Sequence, residues 1–359
     1  MLAELPTELL REVVSHVNRV DQKSLCEVCK YLCDAMSPLL YNSLTISTTP
    51  LSIDGIVSRI ERIPLKWLKY TKDICLRSVS YKDRLQRCIY PPYDPASDPQ
   101  GIIDLDPSSN LMVALEILLS AVPKDGLRAF RWELGTCIPK GLLSGDGGPL
   151  ANQQWIETLS LRTGLCDGGI PMQYTVDFGR FRHLQSISWD EMFAYDTYES
   201  IRKCIAVNKE IKAWDLGLAS SLWRSIIPPS QKDFRFSFFI EKVLELQPGM
   251  QKRCFPSLES LCFRDLPLRG MEAELAYTLQ VERLRTLKLC YCAGSVTFLG
   301  VLAESKSDLR LTTLEVSFYN VHPRYEFEPF KHLSVILARF LGGFQGLENL
   351  YLRLPHLFL

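Results

Sequence analysis

Few residues in this 359-residue chain are spaced for chemistry. The tightest group is Cys26-x2-Cys29-x3-Cys33, which has the look of part of a metal cluster. Zinc would need a fourth ligand and deprotonated thiols. No further His or Cys stands close by in sequence, and on a helix Cys29 and Cys33 share a face with Leu25 and Leu32. The group therefore reads as core or interface thiols rather than a metal site. Cys290-x-Cys292 straddles the end of an expected strand and has no redox motif around it. The histidines are His16, His183, His322, His332 and His356, and none belongs to an HExxH or a nucleophile motif. Gly147-Gly148 and Gly168-Gly169 read as turn glycines, outside any phosphate-cradling pattern. No catalytic residue, metal ligand or cofactor site is expected, and the chain does not read as an enzyme.

Composition narrows the class further. An apolar fraction of 47% with 23% charged residues is that of a folded soluble chain. Lys+Arg and Asp+Glu are equal at 41 each, so the basic footprint of a nucleic-acid binder is missing. The longest apolar stretch, 111–122, contains Glu116 and is too short to span a bilayer, and Glu4, Glu8 and Arg11 break up any secretory signal. Twelve scattered cysteines with apolar neighbours then point to free thiols, and to the cytoplasm or nucleus. No nucleic-acid or membrane partner is expected.

Residues 5–46 carry too many apolar positions for a solvated arm and are too few to bury a core alone. This stretch reads as one that shares apolar surface with a partner. Pro6 suits the first turn of a helix, and Glu8 suits the positive end of its dipole. Leu9, Leu10, Val13, Val14 and Val17 recur at helical spacing. Asp21 is the expected N-cap of a second helix carrying Leu25, Val28, Cys29 and Leu32. A third segment is expected over about 34–41, interrupted by Pro38. Leu5-Pro6-x-Glu8-Leu9-Leu10, Val13-Val14, Leu25-x-x-Val28-Cys29-Lys30 and Pro38-Leu39-Leu40-Tyr41 together resemble the F-box, in the form common among filamentous-fungal proteins. The resemblance implies that Leu5, Pro6, Leu9, Val13, Leu25, Val28 and Cys29 contact a Skp-type adaptor of a cullin–RING ubiquitin ligase. From the residues alone, several of these could equally hold the helices together, because apolar periodicity does not separate core from interface. Leu9 and Val28 are the open cases.

Downstream, a phrase L-x-x-L-x-L with bulky apolar substitutes begins at Leu127, Ile156, Leu184, Ile211, Leu258, Leu284, Leu311 and Leu347. The steps are 29, 28, 27, 47, 26, 27 and 36 residues, so five of seven hold one period. Leu284-x-x-Leu287-x-Leu289-x-x-Cys292 is the cleanest copy. The pattern resembles the leucine-rich repeat, which uses Asn or Cys at the position of Cys292. Ile74-x-Leu76, within an expected strand at 72–79, would be an earlier, degenerate repeat. Helices are expected at 56–63 and 110–122, and return helices at 197–207, 270–281, 296–304 and 330–341. The Pro- and Asp-rich 90–107 and the glycine cluster 143–149 read as loops. The 47-residue step implies an insertion at about 219–255, with a helix near 236–246. The chain ends straight after a repeat strand, so a truncated array, a distorted last repeat or a partner-covered end is expected there.

The expected fold is α/β. Residues 1–46 form a three-helix F-box and 47–110 a linker with a degenerate first repeat. Residues 111–359 form a leucine-rich-repeat solenoid, with short parallel strands on the concave face and helices or irregular turns on the convex one. Strand alternation puts Arg131, Ser160, Ser188, Asp215, Cys262, Lys288, Glu315 and Tyr351 on the concave face. The next column is Glu133, Arg162, Asp190, Gly217, Arg264, Cys290, Ser317 and Arg353. A target protein would bind there, with Arg131, Arg162, Asp190, Asp215, Arg264, Lys288, Glu315, Tyr351 and Arg353 as the named candidates and Arg162, Arg264 and Arg353 the first places for anion pairing. Taken with the resemblance, the chain reads as the substrate-recognition subunit of a Skp–cullin–F-box ligase. The alternative is a repeat-based interaction scaffold with no ligase role. A hydrolase or transferase grafted on the repeats has no motif to support it.

Overall fold

The computed structural model describes residues 5–48, 53–78, 109–136, 138–139, 141–143, 147–163, 176–192, 195–218, 241, 243–246, 249, 255–266, 268–304, 309–318 and 332–354. The expected loop at 90–107 and most of the insertion, with its helix near 236–246, lie outside these residues. The chain divides into two compact units, one of residues 1–159 and 166–170, the other of 160–165 and 171–359.

The first unit opens with three helices, α1 (Thr7–Ser15), α2 (Arg19–Val28) and α3 (Lys30–Leu40). Leu10, Val14, Leu32, Ala35 and Met36 form their small core, with Leu5, Val17, Leu25, Cys26, Leu39 and Leu40 packed against it. Three expectations about these helices change. Pro6 is the N-cap of α1 rather than part of its first turn, with an extended ψ of 144°. The cap of α2 is Asn18, not Asp21. Asn18 is extended and its side chain accepts from the Asp21 amide at 3.0 Å, while its own amide donates to the Asp21 carboxylate at 2.6 Å. Asp21 thus sits on the third helical position as the reciprocal half of the cap. Finally, α3 starts at Lys30 and contains Pro38, which falls in the last turn, where the missing amide removes a single helical hydrogen bond. Buried Gln22 ties α2 back to α1 by donating to the Val14 and Val17 carbonyls, both at 2.9 Å.

Beyond α3 come β1 (Ser43–Thr48), α4 (Ile53–Glu61), a 3-10 turn (Leu65–Tyr70), β2 (Asp73–Ser78), α5 (Ser109–Ser120) and β3 (Ala129–Glu133). The stretch resembling the F-box therefore runs into a first repeat strand, β1, that the phrase search does not find. Tyr41, just past α3, stacks on Trp67 with centroids 5.6 Å apart. Strands β1, β2 and β3 pair in parallel and in register, so Ile74 aligns with Phe130 and Leu76 with Trp132. The degenerate repeat at Ile74-x-Leu76 is a full strand of this ladder.

All eight phrases are strands. After β3 come β4 (Thr158–Arg162), β5 (Ser186–Met192), β6 (Ala213–Leu218), β7 (Ser260–Arg264), β8 (Thr286–Cys290), β9 (Thr313–Ser317) and β10 (Asn349–Arg353). In the second unit β5 to β10 pair in parallel, each with its neighbour in the chain. The 47-residue step leaves the ladder intact, with Ala213 still opposite Ser260. Helices α6 (Tyr195–Val207), α7 (Glu272–Thr278), α8 (Ser295–Glu304) and α9 (Leu333–Gly342) return the chain between strands.

Apolar burial follows the period of two that a strand imposes. The two strand leucines of each phrase, or their substitutes, are fully buried from Phe130 and Trp132 through Leu314 and Val316. Trp132 and Trp189 satisfy their indole N–H groups inside the core, on the Thr136 carbonyl at 3.0 Å and the Thr163 hydroxyl at 3.1 Å. Cys292 occupies the Asn/Cys position as expected from the repeat. It is buried, and its thiol donates to the Phe263 carbonyl at 3.3 Å. Asn208, just past α6, accepts from the Leu184 amide at 3.1 Å and donates to the Cys204 carbonyl at 3.1 Å. At β10 the pattern breaks: Leu350 and Leu352, the counterparts of buried Leu314 and Val316, are exposed. Among the described residues β10 pairs with β9 alone.

Candidate functional site

Two surfaces carry the residues singled out from sequence. The first is on the opening helices. Leu10 and Val14 turn inward, which forces Leu9 and Val13, one position back, onto the outside of α1, at 56% and 48% exposure. Val28 ends α2 at 69% exposure, and Cys29, also exposed, is the extended residue joining α2 to α3. Pro6 is exposed as well. Leu5 and Leu25 differ: both are half-buried and pack against the helical core. Leu9 and Val28 thus lie outside the small core of the three helices. Val20 and Tyr31 are exposed apolar residues that sequence reasoning passed over. Tyr31 donates to the Leu5 carbonyl at 2.6 Å, tying the α2–α3 junction to the start of α1. Burial, with Cys33 nearby, pushes the Cys26 thiol up to about 11.

The second surface is the open face of the strands, opposite the leucines. Register places Ser188, Asp215, Cys262, Lys288, Glu315 and Tyr351 in one row of the second unit. Gly217, Arg264, Cys290, Ser317 and Arg353 form the next. Asp190 lies in a bulge of β5 between Trp189 and Met192, where Glu191 takes φ 62°. The Asp190 carboxylate lies over Gly217 of β6.

The charges on this face are largely committed to one another. Arg264 contacts Asp190 (Nε–Oδ1 3.2 Å) and Asp215 (Nη2–Oδ1 2.8 Å). Arg162 approaches the other Asp190 oxygen at 3.5 Å, and Lys288 meets Glu315 at 3.1 Å. Arg353 donates to the Tyr291 hydroxyl at 2.6 Å and lies over its ring. Arg162 and Arg264, expected as the first places for anion pairing, already hold carboxylates. Burial opposes the charge on Arg264, but the two aspartates outweigh it and hold the guanidinium above its ordinary value. For Lys288 burial is likewise overcome by Glu315, which raises its pKa. In the first unit Arg131 pairs with Asp73 across β2 and β3. Tyr351 and Arg353, on β10, are exposed.

Cys262 and Cys290 also line this face, and both are nearly buried. The neighbouring Cys290 thiol and burial hold the Cys262 thiol high, and Cys262 in turn draws Cys290 below the ordinary thiol value. Strand alternation places both on this face, and register sets them one strand and two residues apart.

No helix among the described residues is long and apolar enough to cross a membrane. No protein-family model matches the chain. No curated protein matches it. Among solved structures it is similar to the leucine-rich repeat-containing protein LegL7 from Legionella pneumophila, at 10% identity and a TM-score of 0.31, over 85% of this chain and 94% of that one.

Proposed function

We propose that this chain is a substrate-recognition subunit of a Skp–cullin–F-box type ubiquitin ligase. On this reading α1–α3 dock on a Skp-type adaptor and the open strand face receives the target protein. The chain would make and break no bonds itself. It would raise the local concentration of its target near a ubiquitin-charged enzyme. The observation that carries the reading is the outward apolar set Leu9, Val13 and Val28, on helices whose own core is already filled by Leu10, Val14, Leu32, Ala35 and Met36. Exposed apolar side chains on a bundle this small are what a shared interface requires. The F-box resemblance of the same residues gives that interface an identity.

The test is co-purification of the full chain with a Skp-type adaptor, comparing wild type with a Leu9→Glu, Val28→Glu double variant. Leu5 is a poorer choice because it packs against the helical core. A one-to-one complex that the folded variant loses supports the reading. A folded wild type that binds no adaptor overturns it and leaves a repeat-based interaction scaffold.

A further inference from the structure

We propose that the turns leading into β6, β7, β8 and β9 form a binding site for one phosphate-monoester dianion. The site lies away from α1–α3 and does not depend on their docking to an adaptor. A hollow of about 260 Å³ opens there, lined by the cations Lys212, Arg283, Arg285 and Arg310 and by Glu259 and Glu282. All six residues are exposed. The backbone fixes their spacing. The Glu259 amide donates to the Lys212 carbonyl at 2.8 Å, the Arg285 amide to the Glu259 carbonyl at 2.7 Å, and the Thr312 amide to the Arg285 carbonyl at 2.8 Å. Standard strand spacing then puts the Lys212 and Arg285 Cα atoms roughly 10 Å apart. Two long side chains at that separation can close on one anion.

These cations differ from those of the open face. There Arg162, Arg264 and Lys288 hold carboxylates. On the rim Arg283 donates to the Pro256 carbonyl at 2.6 Å, and Arg285 to the Arg310 carbonyl at 3.3 Å. A neutral carbonyl orients a guanidinium without cancelling its charge, and the other donors of the fork remain for a ligand. Orientation set in advance lowers the ordering cost of binding. The first unit shows what would cancel the charge. Arg128, the residue before β3, makes the same clamp, donating to the Trp155 carbonyl at 3.3 Å. Its guanidinium also meets Glu157, the residue before β4, at 3.7 Å. Beside Arg285 the position equivalent to Glu157 is Thr312, a neutral residue whose hydroxyl donates to the Arg285 carbonyl at 3.2 Å.

Charge selects the ligand. Four cations against two carboxylates leave the hollow two charges positive. A phosphate monoester carries about −1.5 to −2 charges near pH 7 and three acceptor oxygens, and guanidinium forks match it in bidentate fashion. A single carboxylate brings half that charge. Phosphoserine or phosphothreonine on a protein and the inorganic ion share this chemistry.

The experiment is calorimetric titration of the full chain with two probes, inorganic phosphate and a capped glycine–alanine peptide carrying one phosphoserine. The same peptide with glutamate in place of phosphoserine is the comparison. The expected result is one phosphate group bound per chain, about tenfold more weakly in Lys212→Gln and in Arg285→Gln. Arg128→Gln leaves the affinity unchanged, and Glu259→Gln raises it. A phosphopeptide bound more tightly than the ion assigns the phosphate to a protein partner, and one bound no more tightly assigns it to the inorganic ion; both support the site. Binding of neither phosphate probe overturns the proposal. So does equal affinity in wild type and Lys212→Gln, or a glutamate peptide that binds as well as the phosphopeptide. Lys212 is exposed, so its replacement keeps the test decisive if the Arg285 change unclamps the rim. Circular dichroism checks that the variants fold.

Discussion

Arg264 on β7 crosses over β6 to reach Asp190 on β5, with Nε and Oδ1 3.2 Å apart, and Gly217 lies beneath the bridge. A Cβ built on Gly217 would sit 2.5 Å from the Asp190 oxygen and 3.2 Å from the Arg264 Nε. The glycine is required there for space. Gly217→Ala is expected to part the bridge and cost about 1–3 kcal/mol, the usual penalty for overpacking. Chemical denaturation measures it. A variant as stable as wild type would show that the two side chains move aside freely.

Leu9 and Leu10 are adjacent in sequence and opposite in role. Leu10→Ala should cost about 2–5 kcal/mol because the side chain is fully buried. Leu9→Ala and Val13→Ala should each stay within about 0.5 kcal/mol in stability. On the proposed function they would still weaken adaptor binding, by about 1–3 kcal/mol each. Paired thermal melts and binding isotherms check this, and an equal loss of stability at Leu9 and Leu10 would count against the outward-facing assignment.

Asn208 bridges the end of α6 back to Leu184, ahead of β5, through its side-chain amide. Asn208→Leu leaves the Leu184 amide without its acceptor inside the fold. A loss of about 1–3 kcal/mol is expected. Hydrogen exchange at the Leu184 amide should speed up in the variant, and unchanged protection would contradict the assignment.

Burial pushes the Cys204 thiol up to about 12, and burial above all pushes Cys75 up to about 11. The unfolded chain releases these protons at the ordinary thiol value, so the folded state holds them more tightly. Their stabilisation is complete below that value and is lost as pH rises from about 9 toward 11–12. Through that window the stability of Cys204→Ala should fall less steeply than that of wild type, by up to about 1.4 kcal/mol per pH unit. Denaturation curves between pH 8 and 11 give the slopes, and parallel slopes would refute the expectation.

Much of the fold can be read from residue order, for a local reason. Each repeat strand is announced by apolar residues six positions apart or closer, as in Leu284, Leu287 and Leu289, and strands pair with their chain neighbours, so period alone orders the ladders. Strand β1 escapes because its phrase, Tyr41-x-x-Leu44-x-Ile46, overlaps the stretch that resembles the F-box. The α2 cap is misassigned because Asn18 and Asp21 are both good capping residues and only backbone geometry chooses between them. The site is less legible than the fold. Arg264 and Asp190 are 74 residues apart, and the bulge between Trp189 and Met192 leaves no mark in composition. Alternation finds the face these residues occupy, and it is silent on whom they bond.

The mutual pairing of Arg162, Asp190, Arg264 and Asp215, and of Lys288 with Glu315, has a kinetic consequence. Opposite charges a few ångströms apart cancel within a Debye length, so this face projects little field into solution. A partner approaching it gains no long-range electrostatic steering. Its encounter rate should sit near the unsteered range of about 10⁵–10⁶ M⁻¹s⁻¹ and vary little with ionic strength. Discrimination on such a face falls to short-range fit, after contact rather than before it.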